Sequence, residues 1–192
     1  MKSKFIFHIV TQALIGAAIA SIYGILHDQI TYTISPEYYT KFKFIQFGLW
    51  HHFENVSHSD LLEIVPQFPR IRVIVVGIVA TWWVGAILGF VLGLISFFST
   101  SKERKFRVSF NALILAMFIA TLVGVVGFFF GKYSINPINA KKYVPDNVMD
   151  IKNFVIVATV HNFSYLGGLV GLVLGVIYLT KHSRANKNLK LK

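Results

Sequence analysis

Four long apolar runs divide the chain and set its fold class. They cover approximately residues 5–26, 72–98, 108–130 and 153–180, and polar connections separate them. Each run is near or above the roughly 20 residues that a helix needs to cross the hydrocarbon core of a bilayer. The pattern therefore predicts an all-α, four-helix transmembrane bundle that forms a single domain over residues 1–192.

Composition agrees with this interpretation. Hydrophobic residues make up 55% of the chain and charged residues only 14%, which is far from the balance of a soluble domain. A net charge of +11 would suggest nucleic-acid binding in a soluble protein, but no nucleic-acid module is recognisable here. The chain has no cysteine, so disulfides, thiolate metal sites and cysteine nucleophiles are excluded. We expect membrane lipids as partners and no nucleic acid.

The basic residues indicate the topology. They precede the first run, fill the short connection between the second and third, and crowd the C-terminal tail, and these three segments contain a single acid, Glu103. In the other two connections acidic residues nearly balance the basic ones. By the positive-inside rule both termini face the cytoplasm and the two longer connections lie outside. The cytoplasmic basic clusters orient the chain and touch anionic lipid headgroups.

The first run has a competing interpretation as a cleavable signal peptide. A basic start, an apolar stretch and the sequence Ala18-Ile19-Ala20 match the three regions of such a peptide. The apolar run continues past Ala20 to Leu26, however, which is long enough to span a membrane. We favour a retained span and leave cleavage as the alternative.

Small residues recur at intervals of four in every run. The sets are Gly16, Ala20 and Gly24; Gly85, Gly89 and Gly93; Ala116, Ala120 and Gly124; and Gly167, Gly171 and Gly175. Such stripes let helix backbones approach closely, which is how helices associate where lipid removes the hydrophobic effect. They predict tight packing. A glycine-lined pore and a homo-oligomer interface are the alternatives.

The first outer connection, residues 27–71, is long enough to have structure of its own. Ile30, Tyr32 and Ile34 alternate with polar residues, which predicts a short extended segment. Ser35-Pro36-Glu37 is typical of a helix start. Apolar residues then follow at helical spacing, with Lys41, Lys43 and Gln46 elsewhere around the helix: Tyr38, Phe42, Ile45, Leu49 and Phe53. This predicts an amphipathic cap helix, and a second short helix at about 60–65.

A few polar side chains at the outer ends of the first and fourth runs are candidates for chemistry. His27, Asp28, Glu37, His161 and Tyr165 are the candidate catalytic residues. His161 lies about 12 Å from the outer end of its run, and Tyr165 lies one turn deeper on the same face. Trp82 and Trp83 lie at comparable depth. Ionisable groups at membrane depth are costly and are usually paired or functional, so we expect these groups to converge on one outer site.

Two histidines and a carboxylate suit a divalent metal, with zinc, iron or manganese as the candidates. We take His27, Glu37 and His161 as the metal ligands, because adjacent helical residues such as His27 and Asp28 point about 100° apart and would share one ion only at a local break in the helix. A hydrogen-bonded polar cluster that fixes helix register is the alternative.

A second set of candidate ligands lies in the same connection. It comprises His51, His52, Glu54 and His58, of which Glu54 and His58 would be neighbours on a continuous helix. Histidines in a solvated loop are the alternative explanation.

Three motifs resemble those of a family of small, uncharacterised four-span bacterial membrane proteins. They are His27-Asp28-Gln29-Ile30-Thr31, Pro36-Glu37-Tyr38-Tyr39-Thr40 and Ala80-Thr81-Trp82-Trp83-Val84-Gly85. The family's patterns are HDQ(I/V)T and ATWWVG. The resemblance implies a multi-pass protein of the bacterial inner membrane and carries no activity with it. It draws attention to His27, Asp28, Glu37, Trp82 and Trp83.

Three classes of function stay open. The first is an integral membrane protein with an outward-facing His/carboxylate site, metal-binding or acid–base in character, that acts on a lipid or another hydrophobic substrate. The second is a structural or assembly protein without catalysis. The third is a transporter of a small solute or protons, which the near absence of ionisable groups in the inner halves of the runs disfavours. The sequence does not decide whether the protein is an enzyme.

Overall fold

The structure is a computed structural model that describes residues 2–49, 69–99 and 104–189. In those ranges the chain is helical and contains no strand. The elements are α1 (Lys2–Ile34), α2 (Pro36–Tyr38), a π-helical turn (Tyr39–Lys43), α3 (Phe44–Gln46), α4 (Pro69–Ser99), α5 (Lys105–Tyr133), α6 (Pro137–Ala140), a 3-10 turn (Lys141–Tyr143) and α7 (Ile151–Leu189). The continuous run over residues 36–46 is called the cap helix below.

Four helices are long and apolar enough to cross a membrane. The qualifying segments are Ser3–Ile34, Pro69–Phe98, Lys105–Tyr133 and Ile151–His182. The predicted all-α, four-helix transmembrane bundle is confirmed, and the chain has the features of a multi-pass membrane protein. Each predicted span lies inside its helix, but α1 continues eight residues beyond the predicted end at residue 26.

The prediction of an extended segment at Ile30, Tyr32 and Ile34 is wrong, because α1 includes all three residues. Thr31 and Tyr32 are neighbours and both are buried, which a two-residue period does not allow. The Thr31 hydroxyl donates to the carbonyl of His27, one turn earlier. The alternation of apolar and polar residues therefore does not mark a strand here. The hydrogen bond from Thr31 to His27 is one of the local contacts that stabilise the helix.

The cap helix begins as predicted. The Ser35 hydroxyl accepts a hydrogen bond from the Tyr38 amide, and Pro36 occupies the first position. Its buried face differs from the predicted stripe, because the π-helical turn shifts the register by one residue. Lys43 is buried, whereas Phe42 is 36% exposed. The predicted helix at 60–65 and the candidate ligands His51, His52, Glu54 and His58 lie outside the described residues.

The chain divides into two compact units, and each long helix contributes to both. Unit 1 comprises the described parts of residues 1–21, 81–123 and 164–192, and unit 2 comprises those of residues 22–80 and 124–163. Aliphatic residues form the core of unit 1: Leu88, Leu92, Val108, Ala112, Leu113 and Leu179. Aromatic residues are prominent in the core of unit 2, with Tyr32, Tyr38, Tyr39, Phe44 and Phe154.

The small-residue stripes pack helices of the same chain together. In unit 1 a Cβ atom at Gly16 would overlap the backbone of Gly85, and one at Gly171 would overlap the backbone of Ala116. α1 thus lies directly against α4 and α5 against α7. The packing interpretation is confirmed at these positions, and a homo-oligomer interface through the same stripes stays a prediction.

Candidate functional site

His27, Asp28 and His161 come together in unit 2. Their donor atoms all lie within 4.8 Å of one another. Asp28 Oδ1 is 3.1 Å from His27 Nδ1 and 3.9 Å from His161 Nε2. Asp28 and His161 are buried, and His27 is partly buried. We call these three residues the His/Asp cluster.

The His/Asp cluster forms without a break in α1, contrary to the expectation that adjacent ligands would need one. The helix is continuous through Ile34, and the side chains of His27 and Asp28 bend toward each other until their polar atoms meet. The angle of about 100° between neighbouring residues describes the Cα–Cβ directions, whereas the polar atoms lie farther out. α7 supplies the third member, His161, from its eleventh residue.

The cap helix brings two tyrosines onto His161. The Tyr39 hydroxyl lies 3.3 Å from His161 Nε2 and 2.6 Å from the Thr31 hydroxyl. The Tyr38 ring stacks on the imidazole of His161, with centroids 5.0 Å apart and planes 17° from parallel. The cluster is therefore walled by aromatic rings and has one hydroxyl beside its imidazole.

Burial raises the pKa of Tyr39 far above its ordinary value, and the nearby Asp28 carboxylate raises it further. The hydroxyl therefore stays protonated over the whole physiological range. Tyr39 can act as a hydrogen-bond donor at the site.

Lys43 is the other charged group of the cap helix at this site. Its ammonium donates to the Gln46 side-chain oxygen at 3.1 Å and lies 5.7 Å from the centre of the Tyr38 ring. Burial lowers the pKa of Lys43, and the negative charge of Asp28 partly opposes this. The Asp28 carboxylate therefore has the positive charge of Lys43 nearby, on the side of the cap helix.

The second carboxylate oxygen of Asp28 is unsatisfied. Asp28 is only 2% exposed, and its Oδ2 atom has no hydrogen-bond partner within the described part of the chain. A buried carboxylate oxygen without a partner is costly and is usually explained by an ion, a proton or a water molecule. A bound cation would give Asp28 Oδ2 the partner that it lacks among the described residues.

Glu37, the carboxylate that the sequence analysis placed with the two histidines, has other partners. It accepts hydrogen bonds from the backbone N–H groups of Met149 and Asp150 and forms an ion pair with Lys41. Partial burial works against the charged form, but these donors together hold the pKa of Glu37 below its ordinary value. The structure thus assembles Asp28, and not Glu37, with His27 and His161, and Glu37 fastens the cap helix to the start of α7.

Tyr165, Trp82 and Trp83 belong to unit 1. Tyr165 and Trp83 line an apolar groove of about 400 Å³ together with Leu169 and other residues of α4 and α7. About half of each tryptophan surface is exposed. The three residues of the His/Asp cluster belong to unit 2.

The sequence analysis missed a polar pair in unit 1. His8 Nε2 lies 3.0 Å from the Ser96 hydroxyl, and both residues are buried. One turn further along α1, Gln12 is fully buried, and its amide has no partner among the described residues. The signal was available, because His8 and Gln12 are four residues apart in an otherwise apolar run and must share a helix face.

Two imidazoles and a carboxylate are the donor types that zinc, iron and manganese take in proteins. The residues present fit such an ion, since three donors converge and one carboxylate oxygen has no partner among the residues that the structure describes. Comparison with protein-family models, with curated proteins and with solved structures found no match.

Proposed function

We propose that this integral membrane protein binds a divalent transition-metal ion through His27, Asp28 and His161. The unsatisfied Oδ2 atom of Asp28, buried beside two imidazoles, carries the proposal. A cation there would neutralise the Asp28 carboxylate and could be ligated by both imidazoles. Zinc, iron and manganese all accept this donor set.

The distances support ion binding. Zinc lies about 2.0–2.2 Å from nitrogen and oxygen ligands, so neighbouring tetrahedral donors are roughly 3.3–3.6 Å apart. The observed separations of 3.1 Å and 3.9 Å from Asp28 Oδ1 bracket this range. Modest rotations of the two imidazoles would complete the three-ligand arrangement.

Three protein ligands leave a fourth position open, as in catalytic metal sites. A metal in such a site lowers the pKa of a bound water molecule or polarises a substrate oxygen. The protonated Tyr39 hydroxyl next to His161 can donate a hydrogen bond to a group in that position. These residues would serve a metal-dependent reaction on a hydrophobic substrate that enters from the membrane.

The cluster faces away from the cytoplasm in this proposal. The basic N-terminus, tail and short connection between α4 and α5 orient the chain with both termini inside. The end of α1 that carries His27 and Asp28 is then on the outer side. Together with the motifs around His27 and Trp82, this indicates the inner membrane of a bacterium.

A metal-free polar cluster is the second candidate function, and Lys43 favours it. The ammonium already provides Asp28 with a nearby positive charge. In this alternative the cluster fixes the register of α1, α7 and the cap helix and binds no ion.

Elemental analysis of detergent-purified protein separates the two candidates. After incubation with zinc and removal of the excess, the wild-type chain should hold about one equivalent, and His161→Ala should hold none. His182→Ala is the matched control, since His182 is exposed on the same helix. A metal-free wild-type protein under these conditions would rule out the metal site.

A further inference from the structure

Unit 2 contains a cavity of its own, between the connection after α5 and one face of α7. Its volume is about 460 Å³. The amides of Asn136, Asn139 and Asn162 line it together with apolar side chains of α7, chiefly Phe154, Val155 and Ala158. No charged residue of the described ranges lines the cavity, so it matches a ligand with an uncharged polar portion and a hydrocarbon portion.

The hydrogen-bonding groups of this cavity are largely available. The Asn136 side-chain oxygen caps α6 by accepting from the Ile138 amide. The exposed side chains of Asn139 and Asn162 form no hydrogen bond to the described residues. Amides that offer both a donor and an acceptor suit ester and hydroxyl oxygens.

Positive charge adjoins the cavity. Lys141 and Lys142 lie between two lining residues, Ala140 and Tyr143, in the 3-10 turn. Both lysines are exposed, and neither forms an ion pair within the described ranges. The Lys142 ammonium lies 4.8 Å from the centre of the ring of Tyr143, a lining residue, so an anion in the cavity would have positive charge close by.

The same connection carries exposed apolar side chains that place it at a membrane surface. Ile138, Tyr143 and Met149 are each more than three-quarters exposed, and Tyr133 at the end of α5 is 72% exposed. Aromatic and aliphatic side chains with lysines beside them are typical of the boundary between headgroups and acyl chains. This composition suits a connection that lies at the level of the lipid headgroups.

We propose that this cavity binds an anionic glycerophospholipid. The phosphate pairs with Lys141 and Lys142, the glycerol ester region hydrogen-bonds to Asn139 and Asn162, and the first part of an acyl chain lies along Val155 and Ala158. The site is separate from the His/Asp cluster and does not depend on a metal. A phospholipid is the favoured occupant because the lining is amphiphilic while the charge is confined to the rim.

Native mass spectrometry of the full chain in detergent, titrated with phosphatidylglycerol or phosphatidylcholine, tests the proposal. We expect one tightly retained phosphatidylglycerol and much weaker retention of phosphatidylcholine. The double variant Lys141→Gln/Lys142→Gln should weaken phosphatidylglycerol binding by a factor on the order of 10 to 30, as expected for two basic residues near an anionic headgroup. Lys141→Arg/Lys142→Arg is the control, because it keeps both positive charges in the 3-10 turn and should retain phosphatidylglycerol.

Filling the cavity tests the position of the lipid. Ala158→Trp should abolish the retained lipid, and Asn139→Trp, at an exposed position of the short helix α6, should do the same with less risk to the packing of α7. Equal binding of the two lipids, or retention of phosphatidylglycerol by a folded Asn139→Trp protein, would overturn the proposal. Equally strong binding of soluble glycerol phosphate would overturn the role of the acyl chain.

Discussion

Asp28 Oδ1 on α1 lies 3.9 Å from Nε2 of His161 on α7, and both side chains are buried. The contact joins the first and last transmembrane helices at one carboxylate. A buried polar contact of this kind is favourable only when its polar atoms are satisfied, and Asp28 Oδ2 has no partner within the described part of the chain. The relationship therefore makes Asp28 the residue most sensitive to what the site binds.

Metal binding should depend on Asp28 and not on Glu37. Loss of a residue that merely orients a ligand typically costs 10- to 100-fold in metal affinity, so loss of a ligand in Asp28→Asn should raise the Kd for zinc by more than about 100-fold. Glu37→Gln, which removes the same charge nearby, should leave the Kd within about threefold of wild type. Competition with a chromophoric chelator measures both. The reverse order of effects would restore Glu37 as the ligand.

Removing the positive charge of Lys43 should tighten metal binding. The ammonium is 5.7 Å from the Tyr38 ring, which stacks 5.0 Å from the His161 ring. These distances place the ammonium within about 11 Å of His161, where it costs a second cation at least about 1.5 kcal/mol at an effective dielectric constant of about 20, so Lys43→Met should lower the Kd about tenfold or more. Lys41→Met, which removes a cation paired with Glu37, should have little effect. An unchanged Kd in Lys43→Met would place the ion away from Asp28.

Ionisation of Glu37 should make the free energy of unfolding depend on pH in the acid range. Its pKa is lowered in the folded state, so its contribution is fully present above the unfolded value of about 4.3 and is lost as pH falls through the folded value. Glu37→Gln should lower the free energy of unfolding by about 1.5–3 kcal/mol near neutral pH, since charge-assisted hydrogen bonds are lost. The melting temperatures of variant and wild type should converge in acid. Parallel curves at all pH values would contradict the role of the carboxylate.

Two glycines of α7 form a matched pair for testing the packing of unit 1. A Cβ atom at Gly171 would overlap the backbone of Ala116, whereas one at Gly168 would meet nothing within 4 Å. Gly171→Ala should lower the free energy of unfolding by about 1–3 kcal/mol, because the added methyl group overpacks the contact. Gly168→Ala should be neutral or stabilise by up to about 1 kcal/mol, because alanine is the better helix former. Thermal unfolding in detergent compares them, and equal melting temperatures would show that α5 and α7 are less closely packed.

Gln12 should be replaceable by an apolar residue of similar length. Its amide is buried without a partner within the described part of the chain, which costs roughly 1–3 kcal/mol. Gln12→Met should therefore raise the melting temperature, and Gln12→Ala should not, because it leaves a cavity. A lower melting temperature in Gln12→Met would show that the amide has a partner, such as a bound water molecule.

The transmembrane architecture was predictable because length and hydropathy alone determine which segments cross a bilayer. Small residues at intervals of four predicted that Gly16 would lie at a close helix contact. They did not predict that the partner would be Gly85 on α4. The start of the cap helix followed from Ser35 and Pro36, whose side chains act locally. These features depend on residues close together in sequence.

The ligand set was predictable only in part. His27 and His161 were identified from their position in apolar runs, but the choice between Asp28 and Glu37 depended on side-chain bending and on the path of residues 36–46. Glu37 is occupied by amides of Met149 and Asp150, more than a hundred residues away. Contacts of this kind leave no periodic signal in the sequence.

The π-helical turn at residues 39–43 affects the electrostatic potential at the His/Asp cluster. With regular α-helical spacing Phe42 would lie one turn below Tyr38 and Lys43 one turn below Tyr39, which is also buried. The one-residue shift places an ammonium next to a tyrosine and an aspartate within the protein. A backbone irregularity thus contributes to the local potential around the imidazoles, and deleting Thr40, which would leave Lys43 four residues after Tyr38, should keep the ammonium on this face with an ordinary α-helical turn.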